Sequence, residues 1–166
     1  MSKTFVAILM GSDSDLPVMQ ATADTLKDLD IHFEMRVLSA HRTPHDTAEY
    51  VRDAETRGCK VFVCAAGLAA HLAGAVAAHT LKPVVGVPLN GALDGLDSLL
   101  STVQMPGGIP VATVAIGKAG AKNAAFLAAQ MLALADDELA KRIFQQREEA
   151  ANKVRAADAK LQESLA

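Results

Sequence analysis

Phe5-Val6-Ala7-Ile8-Leu9-Met10-Gly11-Ser12-Asp13-Ser14-Asp15 is an unbroken apolar run that passes directly into a loop of Ser and Asp. A helix is expected to follow over about residues 15–29, with Pro17 in its first turn. Strands that are apolar throughout, rather than at every second position, are covered on both faces, as in parallel sheets lying between two helix layers. The unit recurs at Val61-Phe62-Val63-Cys64, Val84-Val85-Gly86-Val87 and Val111-Ala112-Thr113-Val114-Ala115-Ile116. Only the run 33–38 alternates, with Phe33, Met35 and Val37 against Glu34 and Arg36, the pattern of a half-buried strand. Strands near 4–10, 33–38, 60–65, 83–88 and 111–116 thus alternate with helices near 15–29, 44–57, 70–80, 94–104 and 118–135. The chain is predicted to be an α/β protein, a three-layer αβα sandwich around a parallel five-stranded sheet.

The remaining residues, about 136–166, intersperse many charges with Leu139, Ile143, Phe144, Val154 and Leu161. This predicts a C-terminal helical extension, one long amphipathic helix or two, beyond an αβα core of residues 1–135. The 166 residues are one domain's worth, and 51% of them are hydrophobic. A net charge of −3 gives no basic footprint for nucleic acid or an anionic membrane, so a small molecule is the expected partner. The first apolar run is too short for a signal peptide or a membrane span, and a cytoplasmic location is expected. Cys59 and Cys64 lack neighbours at metal-ligand spacing and read as reduced core residues. With 4% aromatic residues and no Trp, the core relies on Ala, Val and Leu, as in Ala124-Ala125-Phe126-Leu127-Ala128-Ala129. Such small residues permit close packing, and an oligomer would add to the buried contacts.

In a parallel sheet, ligands bind beyond the carboxyl ends of the strands. The loop Gly11 to Asp15 offers hydroxyls to a phosphate and a carboxylate to sugar hydroxyls, although a Ser/Asp turn that simply caps a helix has the same composition. No GK[ST] or GxGxxG pattern supports a triphosphatase or a dinucleotide enzyme. After the second strand comes Ser39-Ala40-His41-Arg42-Thr43-Pro44, an imidazole beside a guanidinium at the start of a helix. Thr43 is the expected N-cap, with Asp46 placed three residues on to reach back to it. After the third strand, His71 stands almost alone in Ala65-Ala66-Gly67-Leu68-Ala69-Ala70-His71-Leu72. It is either a structural histidine or a partner to His41 across the crevice. His32, His45 and His79 read as surface or element-end residues. The segment after Pro88 is expected to shape a pocket wall or a subunit contact.

In order along residues 4–135, Gly11-Ser12-Asp13-Ser14-Asp15, Ser39-Ala40-His41-Arg42-Thr43-Pro44, Ala69-Ala70-His71-Leu72, Asp97-Ser98-Leu99-Leu100-Ser101 and Val103-Gln104-Met105-Pro106 closely resemble the class I 5-(carboxyamino)imidazole ribonucleotide mutases of purine biosynthesis, the PurE family. The resemblance implies a flavodoxin-like sandwich, a homo-octamer, and carboxylate migration from an exocyclic nitrogen to ring carbon C4, without metal or other cofactor. It implies His41 and His71 as catalytic residues, and Ser12, Ser14, Asp15, Ser39, Ala40, Arg42, Gly67 and Leu72 at the ribonucleotide. Two positions depart from the family pattern: Leu68 stands where a small residue is usual, and Ala73, where Pro is usual, is expected to loosen the loop. The nearest alternative is the class II carboxylase of the same fold, which joins carbon dioxide directly to aminoimidazole ribonucleotide. A non-enzymatic receiver is disfavoured because Ala65 and Ala66 stand where its phosphorylated Asp belongs. A flavin carrier is disfavoured because the single Tyr, Tyr50, lies mid-helix.

Overall fold

The computed structural model describes residues 4–165. Met1, Ser2, Lys3 and Ala166, the ends of the expected domain, lie outside them. Five strands, β1 (Phe5–Met10), β2 (Phe33–Val37), β3 (Cys59–Ala66), β4 (Val84–Pro88) and β5 (Ala112–Thr113), form one sheet in the order β2-β1-β3-β4-β5. Every neighbouring pair is parallel. The helices are α1 (Leu16–Asp28), α2 (Pro44–Arg57), α3 (Leu72–Ala77), α4 (Leu96–Val103), α5 (Gly117–Ala133) and α6 (Asp137–Leu165), with a single 3-10 turn, Asp13–Asp15, ahead of α1. The flavodoxin-like αβα sandwich read from the sequence is the fold observed. Among the described residues, no helix is long and apolar enough to cross a membrane.

All six residues of β1 are buried, and their side chains divide by parity between two cores. Val6, Ile8 and Met10 join Val61, Val63, Val85 and Val87 against α1, α5 and the start of α6. Phe5, Ala7 and Leu9 join Phe62 and Cys64 against α2 and α3. The small residues of α5 act as anticipated, with Gly120, Ala121, Ala124, Ala125, Ala128 and Ala129 all buried. The Thr22 hydroxyl of α1 reaches across to donate to the Ala121 carbonyl at 2.7 Å. Gly120 is the tightest point, because a Cβ there would stand 1.5 Å from the Ala115 carbonyl oxygen. Cys59 and Cys64 are both free and buried, and burial pushes the Cys59 thiol up to about 11.

The elements depart from expectation mainly at their ends. β5 shrinks to two paired residues at the sheet edge. α3 begins at Leu72 because the loop before it turns through a left-handed Leu68, φ +56°. α4 begins at Leu96 because Asp94 and Gly95 are both left-handed. The extension is one helix of 29 residues; Leu139 and Ile143 are its buried residues, and Arg142 donates to the Leu29 carbonyl at 3.0 Å. β2 is the other edge, and Val37, placed on its apolar face by sequence, is 53% exposed there.

Edge strand β2 is tied to α2 by a charged cluster. Arg57 pairs with both carboxylate oxygens of Glu34 and with Asp53, and the Tyr50 hydroxyl donates to Glu34 Oε2 at 3.0 Å. The Arg57 hydrogen bonds outweigh the opposing cost of burial, and they hold the Glu34 carboxyl below its ordinary value of 4.5. A carboxylate lowered in this way stabilises the fold fully above its unfolded value and loses that contribution as pH falls through its folded value. Glu34→Gln is therefore expected to lower stability by about 1 kcal/mol at neutral pH, the scale of a half-exposed, salt-screened pair. The gap from the wild type should begin to narrow in urea titrations as pH falls below 4.5 and close only below the lowered folded value. Gly120→Ala should cost about 1–3 kcal/mol or more by overpacking, read as a lower urea midpoint at unchanged slope.

Candidate active site

Four loops leave the carboxyl edge of the sheet side by side. Each starts in register, because the ladder extends one residue past the strands: Leu38 N–H donates to the Met10 carbonyl at 2.8 Å, Gly11 to Ala65 at 3.3 Å and Leu89 to Ala66 at 3.0 Å. The chain passes from β1 to β2 in one direction along the sheet and from β3 to β4 in the other, so the loops after β1 and β3 diverge, and a crevice opens at that reversal. The crevice encloses about 530 Å³. Ser12, Ser14, Asp15, Ser39, Ala40, His41, Arg42, Gly67, His71 and Leu72, the ten candidate residues of the sequence, all line it.

The first loop is both a helix cap and a pocket wall. Ser12 Oγ accepts from the Ser14 N–H at 3.3 Å, and Asp15 Oδ2 accepts from the Ser12 N–H at 3.1 Å, a reciprocal capping box. The Ser14 hydroxyl donates to Ser12 Oγ at 2.9 Å. Burial raises the Asp15 carboxyl above its ordinary 3.8, opposed by hydrogen bonds from Ser12, Ser14 and Gly11 and by the Arg42 charge. The cap expected at Thr43 takes another form. The Thr43 hydroxyl accepts from the Ser39 N–H at 2.9 Å and donates to the Ser39 carbonyl at 3.2 Å, while Thr43 N–H donates to that same carbonyl at 2.9 Å. With its N–H already used, Thr43 offers Asp46 nothing to bond, and α2 has no side-chain cap.

Thr43 instead braces the turn that presents His41 and Arg42. Ser39 Oγ accepts from the Arg42 N–H at 3.2 Å and from Arg42 Nε at 3.4 Å. The Arg42 guanidinium then crosses to the first loop, donating through Nη2 to the Gly11 carbonyl at 2.6 Å. From the opposite wall comes His71, whose Nδ1 lies 2.8 Å from His41 Nε2 with the rings edge to face. One facing nitrogen carries the hydrogen and the other accepts it. His71 therefore has in His41 the partner that its bland loop lacked in sequence.

Around the His pair the wall is apolar: Ala66, Leu68, Ala69, Leu72 and Leu89 line the same crevice. Leu68 keeps a left-handed backbone that costs an L-residue about 1–2 kcal/mol. Ala73 is not a loosened position; it is buried within α3 and packs close to Gly86. The sequence reading left Asn90 unnamed as a site residue, although it lines the crevice with Leu89 and Gly91. Its signal was positional, since it is the first polar side chain past the carboxyl end of β4.

The AIR carboxylase family model matches residues 5–153. The N5-carboxyaminoimidazole ribonucleotide mutase of Pyrococcus abyssi is 55% identical over 145 residues, 87% of this chain and 82% of that one. The enzyme of the same name from Bacillus subtilis is 54% identical over 144 residues, 86% of this chain and 89% of its own. Among solved structures, Treponema denticola PurE superposes with a TM-score of 0.87 at 31% identity, covering 96% of this chain and 99% of that one. A family match across nearly the whole described chain, with relatives more than half identical to it, leads to one conclusion: this chain belongs to the AIR carboxylase family.

Proposed function

We propose that this chain is a mutase that converts 5-(carboxyamino)imidazole ribonucleotide to 4-carboxy-5-aminoimidazole ribonucleotide in purine (IMP) biosynthesis, with His41 as the proton carrier. The observation that carries the reading is the 2.8 Å contact between His41 and His71 inside a crevice that also holds Arg42. Mutase relatives more than half identical to this chain support it.

The chemistry asks for one proton in two places. The carbamate N–C bond breaks with its electron pair staying on nitrogen, which takes a proton from the His41 imidazolium as neutral carbon dioxide departs. The electron-rich ring then uses its π pair to bond C4 to that carbon, and the C4 proton returns to His41 as aromaticity is restored. The sum is an isomerisation, with no proton or electron gained. An imidazole suits both halves, because this side chain type exchanges protons near neutral pH. His71 accepts or donates at the shared hydrogen bond and so fixes the ring of His41 and the nitrogen that bears the hydrogen. Arg42, next in sequence, grips the substrate phosphate with Ser12 and Ser39, while Asp15 accepts from the ribose hydroxyls. Ser14, Ala40, Gly67 and Leu72 complete the ribonucleotide's walls. Holding the phosphate fixed while the imidazole works on the ring turns proton transfer into a positioned, intramolecular event.

The whole chain acts as one unit in this reading, with the site on the αβα body and α6 as an extension. We place it in the cytoplasm as a homo-octamer that needs no metal or cofactor. Apolar side chains left exposed support assembly: Leu93, Leu96, Leu100 and Val103 at α4, and Phe144, Val154 and Leu161 on α6.

The purified chain is expected to turn over the carbamate and to leave free aminoimidazole ribonucleotide plus bicarbonate essentially unused; efficient use of the latter pair alone would establish the carboxylase reading instead. His41→Asn keeps size and polarity but removes proton transfer, so turnover should fall by about 10²- to 10⁴-fold. Ribonucleotide affinity, measured by calorimetry, should change little, and near-normal turnover in that variant would remove His41 from the role of proton carrier.

A further inference from the structure

Among the described residues, one buried side-chain oxygen finds no hydrogen-bond partner: Oδ1 of Asp97. A buried acceptor left unpaired is costly, and native structures keep few of them. Asp97 stands in the first turn of α4, where the helix dipole favours a carboxylate. An exposed carboxylate has that benefit in full, so it does not account for an oxygen shielded from water. The neighbouring residue fixes where Asp97 stands. Ser98 is fully buried, and its hydroxyl donates to the Leu89 carbonyl at 2.6 Å, with the Gly95 carbonyl also within 2.9 Å. The first turn of α4 is thus bound to the end of β4.

From there the carboxylate faces the loop after β4. A Cβ on Gly91 would lie 3.5 Å from Asp97 Oδ2, 3.5 Å from the Leu68 backbone nitrogen and 3.1 Å from Leu68 Cδ2. Gly91 therefore stands between the carboxylate and the loop after β3, and without a side chain it leaves the approach between them open. One residue earlier, a Cβ on Gly67 would lie 3.7 Å from the Asn90 carbonyl oxygen. The two loops meet edge to edge, and Gly67, Leu68, Asn90 and Gly91 all line the crevice. The loop after β3 ends at His71, whose imidazole meets His41 at 2.8 Å.

We propose that Asp97 is a positioning residue, an acceptor held ready for the Leu68 N–H. When a ribonucleotide fills the crevice, the loop after β3 moves onto this carboxylate, and the bond that forms sets the reach of His71 toward His41. The donor belongs to the main chain, so the role does not depend on which side chain stands at position 68. A charge-assisted bond is stronger than one between neutral groups, and only the liganded state gains it, which draws the equilibrium toward the closed loop. The consequence for turnover rests on the mutase reading; the latch itself rests on the geometry of the two loops.

Asp97→Ala removes the acceptor, Asp97→Asn keeps a weaker, neutral one, and Gly91→Ala puts a methyl group between the partners. Each full-length variant is compared with the wild type in three measurements: the thermal midpoint with and without saturating aminoimidazole ribonucleotide, backbone deuterium uptake over residues 67–71 in both states, and turnover of the carbamate. The free Asp97→Ala protein should melt no lower than the wild type, because an unpaired acceptor has gone, while the upward shift produced by the ribonucleotide shrinks. Uptake at Leu68 should fall on binding in the wild type and stay high in Asp97→Ala and Gly91→Ala. Turnover should fall severalfold in both, and Asp97→Asn should recover part of it. A lower midpoint in Asp97→Ala, equal with and without ribonucleotide and with Leu68 still protected on binding, makes Asp97 a helix-dipole residue and overturns the proposal. Should Asp97→Ala fail to fold, Gly91→Ala decides, and wild-type protection in that variant overturns the latch. A wild type that makes no product from the carbamate, yet protects Leu68 in an Asp97-dependent way, overturns the mutase reading and upholds the latch.

Discussion

Pairing β1 with β2 on one side and β3 on the other separates the loops that leave the centre of the sheet, and the crevice is the gap they leave. Buried apolar strands fix this arrangement: β1 is covered on both faces, so a slip of one residue would exchange its two sets of core contacts. Register in turn sets the heights of the loops. Gly11, Leu38 and Leu89 each bond one residue past their strands, and this brings Asp15, Ser39, His41 and His71 to the same edge.

Within that frame, backbone and side-chain polar groups hold the crevice side chains in place. Ser12 and Asp15 cap each other, Thr43 braces Ser39, and Ser39 steers Arg42 toward Gly11. The result joins two loops from different strands through one guanidinium. The opposite wall is made of alanines and leucines, with the His41–His71 hydrogen bond spanning the crevice. A site divided in this way is polar at one end and apolar at the other.

The sandwich was legible because continuous apolar runs such as Phe5 to Met10 have few other uses in a chain of this size, and the candidate residues were legible because they all follow such runs. What escaped was set by contacts distant in sequence. Nothing local says that the Thr43 hydroxyl will prefer Ser39 to its own helix, or that β5 will pair at only Ala112 and Thr113. The left-handed turns at Leu68 and Asp94 shorten α3 and α4 against their apolar spacing, and a leucine gives no local sign of that conformation. Asn90 belongs to the crevice through the height of β4 rather than through any motif.

The two margins of the sheet are guarded in different ways. At β2, Glu34 is engaged by Arg57 and Tyr50, and Arg36 lies over the Tyr50 ring with its guanidinium carbon 5.2 Å from the centroid. At the far margin, β5 offers only two residues of ladder. A charged border and a truncated one both discourage a foreign strand from adding on. The sheet is thereby closed to growth by strand addition, so copies of this chain that meet do so through helix faces and loops, where contact leaves each sheet finite and lowers the hazard of fibre formation.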